Sequence, residues 1–282
     1  MVLTPEQMNH LKEVELDLLQ QFVKVCDKLE LNYFIVQGTL IGAVRHKGFI
    51  PWDDDIDVGM MRKDYEILVE KGQELLPEGY FLQTHENDPG YPQCFAKIRK
   101  TSTSFVETTV KNCKMNHGIY IDVFPFDYYP ERALERKIFE AKKFLLKYRV
   151  RNVFYVPADN EKGLANTVKR MLMKFGKVLY PTLDGALAKQ KKLFTQVKES
   201  SYLVNNGSPW GTREIVLAEW MKESTVLEFE GIKVKAPIGY DQYLTKVYGD
   251  YMTLPPEEKR IPHHYISYLN FDESYEKHQE QI

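Results

Sequence analysis

Gln37-Gly38-Thr39-Leu40, a short spacer, and then Trp52-Asp53-Asp54-Asp55-Ile56-Asp57-Val58 form the stretch whose reading decides the fold. Residues 32–37 (Asn-Tyr-Phe-Ile-Val-Gln) are a short β-branched and aromatic run, which predicts a buried strand ended by Gly38-Thr39. A short helix is expected over 40–46, broken by Gly48 and Pro51, and residues 55–60 then alternate polar and apolar as a second strand does. On such a strand residues two apart share a face, so Asp55 and Asp57 project together while Ile56 and Val58 point into the core. Asp53 shares their parity and Asp54 points the other way. Two aligned carboxylates repel each other. An acidic turn on an open surface tolerates that repulsion, but in a cleft it calls for a cation, and hard oxygen ligands beside phosphate chemistry favour Mg²⁺ or Mn²⁺. A glycine after a strand allows close backbone approach and leaves amides free for phosphate oxygens, so Gly38, Thr39 and the aspartates together describe a phosphate site.

Working outward, Thr4-Pro5-Glu6-Gln7 reads as a capped helix start, and Met8, Leu11, Val14, Leu18, Phe22, Val25 and Leu29 recur at helical steps behind it. Residues 62–76 look helical, and strands are expected at 80–84, 94–99 and 119–124. The fold class is therefore α/β of the mixed α+β kind: a catalytic core over residues 1–130, a basic helical insertion over 131–200 with breaks near Pro157 and at Pro181, and a segment over 201–282 that completes the core. That last segment carries a hairpin, 226–229 against 232–235 across Glu230-Gly231, and a short aromatic helix over 240–248.

Composition excludes several classes. With 43% hydrophobic and 13% aromatic residues among 282, a sizeable core is affordable and disorder is not the default. No apolar run reaches the roughly 18 residues of a membrane-spanning helix, and Met1-Val2-Leu3-Thr4 does not open a secretory leader, so the chain is expected in the cytoplasm. Cys26, Cys94 and Cys113 are odd in number and unrelated in spacing, which fits neither a disulfide framework nor a zinc site. The net charge of -2 hides an asymmetry: residues 131–200 hold 17 Lys+Arg against 7 Asp+Glu, leaving 21 against 33 elsewhere. Arg149, Arg151, Lys169, Arg170, Lys174 and Lys177 interleave with Leu172, Met173, Phe175, Val178 and Leu179, an amphipathic pattern suited to peripheral contact with an anionic membrane. A solvated helical face is the plainer reading of the same charges. Nucleic acid is not expected, because no nucleic-acid motif accompanies the charge.

The motif block resembles the nucleotidyltransferase superfamily, whose pattern is Gly-Gly/Ser, a spacer, Asp-x-Asp on a strand, and a third acidic residue on a later strand. More narrowly, residues 38–46 (Gly-Thr-Leu-Ile-Gly-Ala-Val-Arg-His) with residues 52–57 resemble the LicD family of phosphocholine transferases, which is similar to the fukutin group. Residues 118–127 (Gly-Ile-Tyr-Ile-Asp-Val-Phe-Pro-Phe-Asp) match as well, and residues 248–252 with Pro255-Pro256 match more loosely. Thr39 departs from the second small residue of the wider superfamily, as is usual in the narrower family.

The resemblance implies Asp122 as the third carboxylate, completing a metal site with Asp55 and Asp57 or taking a proton from the acceptor hydroxyl, with Asp127 a weaker candidate. It implies a CDP-choline or other CDP-alcohol donor, release of CMP, and a glycan acceptor of the teichoic-acid or lipopolysaccharide kind, which a lipid carrier would bring to the inner membrane face. Arg45 is placed to grip the donor pyrophosphate, and Lys97 and Arg99 share one face of a strand that could line the cleft. If the transferred group carries choline, aromatic faces must bind it, and Trp52, Tyr91, Tyr120, Trp210 and Trp220 are the candidates. His263 and His264 could line the acceptor side. The same carboxylates would also serve an NTP-dependent nucleotidylyltransferase acting on a small hydroxyl compound, and a non-catalytic glycan- or nucleotide-binding protein could keep the fold.

Overall fold

In the computed structural model, which describes residues 1–154 and 164–278, the chain opens with helix α1 (Pro5–Lys28). The Thr4 hydroxyl accepts from the Gln7 amide and the Gln7 side chain accepts from the Thr4 amide, a reciprocal cap that satisfies two N-terminal donors. Its buried stripe is Leu11, Glu15, Leu18, Leu19, Phe22, Val25 and Cys26. Val14, expected to face inward, is half-buried, and the carboxyl of Glu15 takes the inward place.

Strands β1 (Phe34–Ile35), β2 (Asp57–Met61), β3 (Tyr80–Gln83), β4 (Ala96–Lys100), β5 (Ser104–Glu107) and β6 (Ile119–Tyr128) follow, with helices α2 (Gln37–His46) and α3 (Arg62–Leu75) on either side of β2 in the chain. The central sheet runs β1-β2-β6-β4-β3, and β2 lies parallel to β6 while the other neighbours are antiparallel. β6 is buried along nearly its whole length, as a central strand covered on both faces must be. Helix α1 packs across β6 and β4, and α3 across β2 and β6. β5 pairs with a late strand in a separate ribbon, described below.

After β6 come α4 (Ala133–Phe154), α5 (Leu164–Leu179) and α6 (Leu183–Phe194). The break at Pro181 is present, and the one expected near Pro157 lies outside the described residues. Arg149, placed by the sequence on a basic outer surface, is instead buried and bonds the Tyr180 and Pro181 carbonyls at the end of α5. Phe139, Leu146, Ala186, Leu187 and Phe194 build a satellite core between α4 and α6 that reaches Val204. β7 (Tyr202–Asn205) then joins the far end of β6, and β8 (Ile215–Leu217) pairs with β7, so residues beyond 200 finish the sheet. The hairpin of β9 (Ser224–Phe229) and β10 (Ile232–Pro237) turns through Glu230 at φ 48 and Gly231 at φ 74. Helix α7 (Tyr240–Tyr248) and β11 (Ile266–Asn270) close the chain, β11 pairing with β5. The mixed α/β class is thus observed, with one principal core drawn from Leu11 to Ile266.

Two local differences matter for the site. The first strand is two residues long, because Gln37 turns the backbone to φ 49 and starts α2 there, placing Gly38 and Thr39 in its first helical turn. β2 begins only at Asp57, so Asp55 stands on the approach to the strand. Neither β5 nor β11 was expected: each is short, and they become strands by pairing with each other across most of the chain.

Candidate active site

Asp57 opens β2 directly beside Asp122 of β6, its register partner across a parallel pair. Neighbouring strands lie about 4.8 Å apart, so the two carboxyl groups rise from adjacent positions on one face. The Asp57 amide donates to Thr39 Oγ1 at 2.8 Å, and its carbonyl accepts from the Val36 amide at 3.0 Å. Thr39 therefore sets the start of β2. Gly38 lets the Asp53 carboxylate approach, since a methyl group there would collide with Asp53 Oδ2. The loop before Asp53 is held from two sides: Lys12 donates to the Ile50 and Pro51 carbonyls at 3.1 and 3.0 Å, and Glu230 accepts from the Phe49 amide at 2.9 Å.

Carboxyl groups crowd this point. One oxygen each of Asp53, Asp54 and Asp55 lies within 4.8 Å of the others. Asp53, Asp57 and Asp122 are 4%, 6% and 8% exposed, whereas Asp55 keeps more access to solvent. Burial raises the pKa of all four groups, and their charges add to it: Asp55 acts on Asp53 and Asp57, and Asp122 acts on Asp55 and Asp57. Buried Glu15 is pushed up in the same way, by desolvation and then by Asp55 and Asp54. Besides Lys12, which acts on Asp53, two cations oppose this charge. Lys97 Nζ lies 2.7 Å from Asp122 Oδ1, 3.8 Å from Glu107 Oε1 and 3.2 Å from the centroid of the Tyr120 ring. His264 is the other: burial favours its neutral form, but its bond to Asp54 and the charges of Asp55 and Glu107 prevail and raise its pKa to about 10. The remaining excess of buried carboxylate oxygen is a hard donor set of the kind a divalent cation takes, and the oxygens that converge most closely are those of Asp53, Asp54 and Asp55, with Asp57 and Asp122 paired across the adjacent strands.

Asp54 stands in the same group, but its oxygens are tied to the C-terminal segment. It accepts from the His263 and His264 amides at 3.0 and 3.2 Å and contacts His264 Nδ1 at 3.2 Å; burial raises its pKa, yet these bonds outweigh burial and lower it. The pair of histidines thus fastens the C-terminal segment over the cluster, with His263 Nε2 3.8 Å from Asp53 Oδ1. Arg45 reaches the Tyr251 carbonyl at 2.6 Å through Nη1 and His46 Nε2 at 2.9 Å through Nε. Burial lowers its pKa and the charge of Arg260 lowers it further, against Asp53. Arg260, which sequence reading missed, stacks 5.5 Å above the half-buried Trp52 ring. Its run Glu257-Glu258-Lys259-Arg260 reads as an ordinary solvated charge cluster, so no local pattern could have singled it out.

Other candidates separate cleanly. Asp127 is consumed by Arg62, which grips both its oxygens at 2.7 and 2.8 Å, so it is not free to act as third carboxylate. Lys97 reaches the cluster, while Arg99 lies buried behind it, donating to the Gly118 carbonyl at 2.6 Å. Tyr91 belongs to a separate apolar group with Val110, Cys113 and Met115, and Tyr120 is already occupied by Lys97 and by a 2.7 Å bond to Glu107. Trp220 backs onto Gly239 in the C-terminal half. Trp210 meets Tyr248 edge to face at 4.9 Å, and the phenol of Tyr248 is pushed up by burial and then by Glu214, Asp57, Asp53 and Asp55, which puts this aromatic pair beside the carboxylates.

Comparison with known proteins identifies the family. A family model described as LicD/FKTN/FKRP, nucleotidyltransferase domain, matches residues 30–158, the span that holds α2, β2 and β6. The lipopolysaccharide cholinephosphotransferase LicD of Haemophilus influenzae is 34% identical over 256 residues, which is 88% of this chain and 92% of that protein. The chain belongs to the LicD family. An uncharacterized protein of Rickettsia prowazekii is 31% identical over 132 residues, 45% of this chain and 44% of its own. The match to Haemophilus LicD is about twice as long as the family domain, so the LicD-like part of the chain extends well beyond β6. Among the described residues of this LicD-family chain, no helix is long and apolar enough to cross a membrane.

Proposed function

We propose that the protein transfers phosphocholine, or a related phospho-alcohol, from a CDP-linked donor to a hydroxyl of a lipopolysaccharide-type glycan on the cytoplasmic side, releasing CMP. The activity named for the Haemophilus relative supports the transferred group and the acceptor class. The observation that carries the reading is the register of Asp57 against Asp122 beside the first turn of α2, with Asp53 and Asp55 converging on the same point. Asp55, Asp57 and Asp122 are the residues that would hold Mg²⁺ or Mn²⁺, which when bound would neutralise charge on the donor pyrophosphate.

The chain's own groups do the rest. Arg45 and Arg260 bring two positive charges together near Asp53 without a buried carboxylate partner, a setting for phosphate oxygens. Attack by the acceptor oxygen on the phosphorus that bears the alcohol forms the new phosphodiester bond and breaks the bond to the CMP oxygen. Asp122 takes the hydroxyl proton, and Lys97 holds Asp122 in place. The aromatic pair of Trp210 and Tyr248 is our candidate for the quaternary ammonium, which can be bound only through ring faces and contacts. Positioning and charge carry such a transfer, with little covalent work for the protein.

The test is incubation of the purified protein and Mg²⁺ with CDP-choline, CDP-ribitol and CDP-glycerol in turn and lipopolysaccharide as acceptor, reading CMP and product mass. CMP with an acceptor heavier by phosphocholine is the expected result. Pyrophosphate released from an NTP would instead identify a nucleotidylyltransferase, and turnover that survives in both Asp55→Asn and Asp57→Asn would remove the carboxylates from the mechanism.

A further inference from the structure

Residues 164–179, helix α5, contain four cations and no acidic residue. Val168, Met171, Phe175 and Val178 recur at steps of three and four, which is one stripe along a helix. All four are exposed, by 46%, 65%, 52% and 78%. Arg170, Lys174 and Lys177 follow the same spacing and make an exposed row beside the stripe.

Packing explains why this apolar stripe is left in water. Gly176 is buried, and a Cβ added to it would stand 3.3 Å from the Cα of Arg149, so the α5 backbone lies directly on α4 through its glycine. Arg149 then bonds the carbonyls of Tyr180 and Pro181, satisfying acceptors at the C-terminal end of α5 and fixing the helix in rotation. A single exposed apolar residue is ordinary, but an aligned row of them bordered by cations marks a contact surface. Neighbouring α4 also exposes Leu134, Ile138 and Phe144.

We propose that α5 docks on an anionic lipid bilayer, its apolar stripe entering the boundary between headgroups and acyl chains and its cations resting on lipid phosphates. Charge selects this occupant. A second copy of the chain would set two cationic rows against each other, and nucleic acid has no use for Phe175 and Val178 on the contact line. The rest of the molecule, with 21 Lys+Arg against 33 Asp+Glu outside residues 131–200, is repelled by a negative surface, so the basic side alone faces it.

Flotation of the full chain with vesicles reads this directly and without substrate, so failure here leaves the transferase reading untouched. Binding is expected to phosphatidylcholine vesicles containing about 30% phosphatidylglycerol and not to phosphatidylcholine alone, and to fall at about 0.5 M salt. Lys174→Gln with Lys177→Gln should weaken it about thirty-fold. Phe175→Ser with Val178→Ser should abolish it with an unchanged circular dichroism spectrum. Equal binding to neutral vesicles, no binding, or binding indifferent to both double variants would overturn the proposal. So would a wild-type dimer in sedimentation that the Phe175 and Val178 substitutions dissolve, since the stripe would then be a self-association face.

Discussion

Glu214 offers a test of how the C-terminal half supports the catalytic face. It ends a short 3-10 turn, Gly211–Glu214, and is fully buried. It accepts from the Tyr243 hydroxyl, and the Tyr243 oxygen in turn receives a bond from the Gln37 backbone, where α2 begins one residue before Gly38. Burial raises the Glu214 pKa from 4.5 to about 7, against bonds from Ser208, Tyr243 and Asn205 that lower it. With a folded pKa above the unfolded one, the group stabilises the fold fully below the unfolded value, and that contribution is lost as pH rises through about 7. Integrated between about pH 5 and about pH 8, the loss comes to about 2.5 kcal/mol. Glu214→Gln keeps an acceptor for Tyr243 and cannot ionise. Thermal melts of both proteins across this range should therefore show the variant gaining on the wild type by about 2.5 kcal/mol towards high pH, roughly 5 °C in Tm. The raised aspartates of the site titrate in both proteins, and Asp57, which also feels the Glu214 charge, shifts the difference in the same direction. Parallel curves of Tm against pH would refute the reasoning, because they would mean that Glu214 does not change its charge within the fold.

Gly38→Ala should push the Asp53 carboxylate aside and lower kcat/KM by about 100-fold or more while the far-ultraviolet spectrum stays native. Asp57→Asn should abolish turnover yet stabilise the metal-free protein by about 1 kcal/mol, since it removes a buried charge that Asp55, Asp122 and Asp53 repel, whereas Asp122→Asn should abolish turnover and destabilise, because it strips buried Lys97 of its 2.7 Å partner; the rise in Tm that Mg²⁺ gives the wild type should vanish with both. Lys97→Met leaves Asp122 and Glu107 without their cation and should cost about 3 kcal/mol in urea unfolding, and a variant as stable as wild type would show that the pair is not needed.

Local chemistry determined much of this protein. The capping box at Thr4, the turn at Glu230-Gly231, the central strand through Asp122 and the pairing of a small-residue turn with Asp55 and Asp57 are all written within a few residues of one another, because caps, turns and alternation depend on near neighbours. The mixed α/β class followed from those elements, and the motif block between Gly38 and Asp57 pointed to the family. What needed the tertiary structure was everything that meets across long separations. Glu15 sits in a helical stripe that hydrophobicity alone assigns to Val14, and its inward turn sets it near Asp55 and Asp54, whose charges add to burial in raising its pKa. His264 and Arg260 come from more than 200 residues beyond Asp54 and Trp52, which they meet, and β5 and β11 are strands solely by mutual pairing. Arg149 shows the same limit in reverse: by spacing it belongs to a cationic surface, and only the approach of α5 through Gly176 turns it into a buried cap. A charged side chain carries no mark of its partner in its own neighbourhood, so burial and pairing of charge are decided by which distant backbone the fold brings alongside.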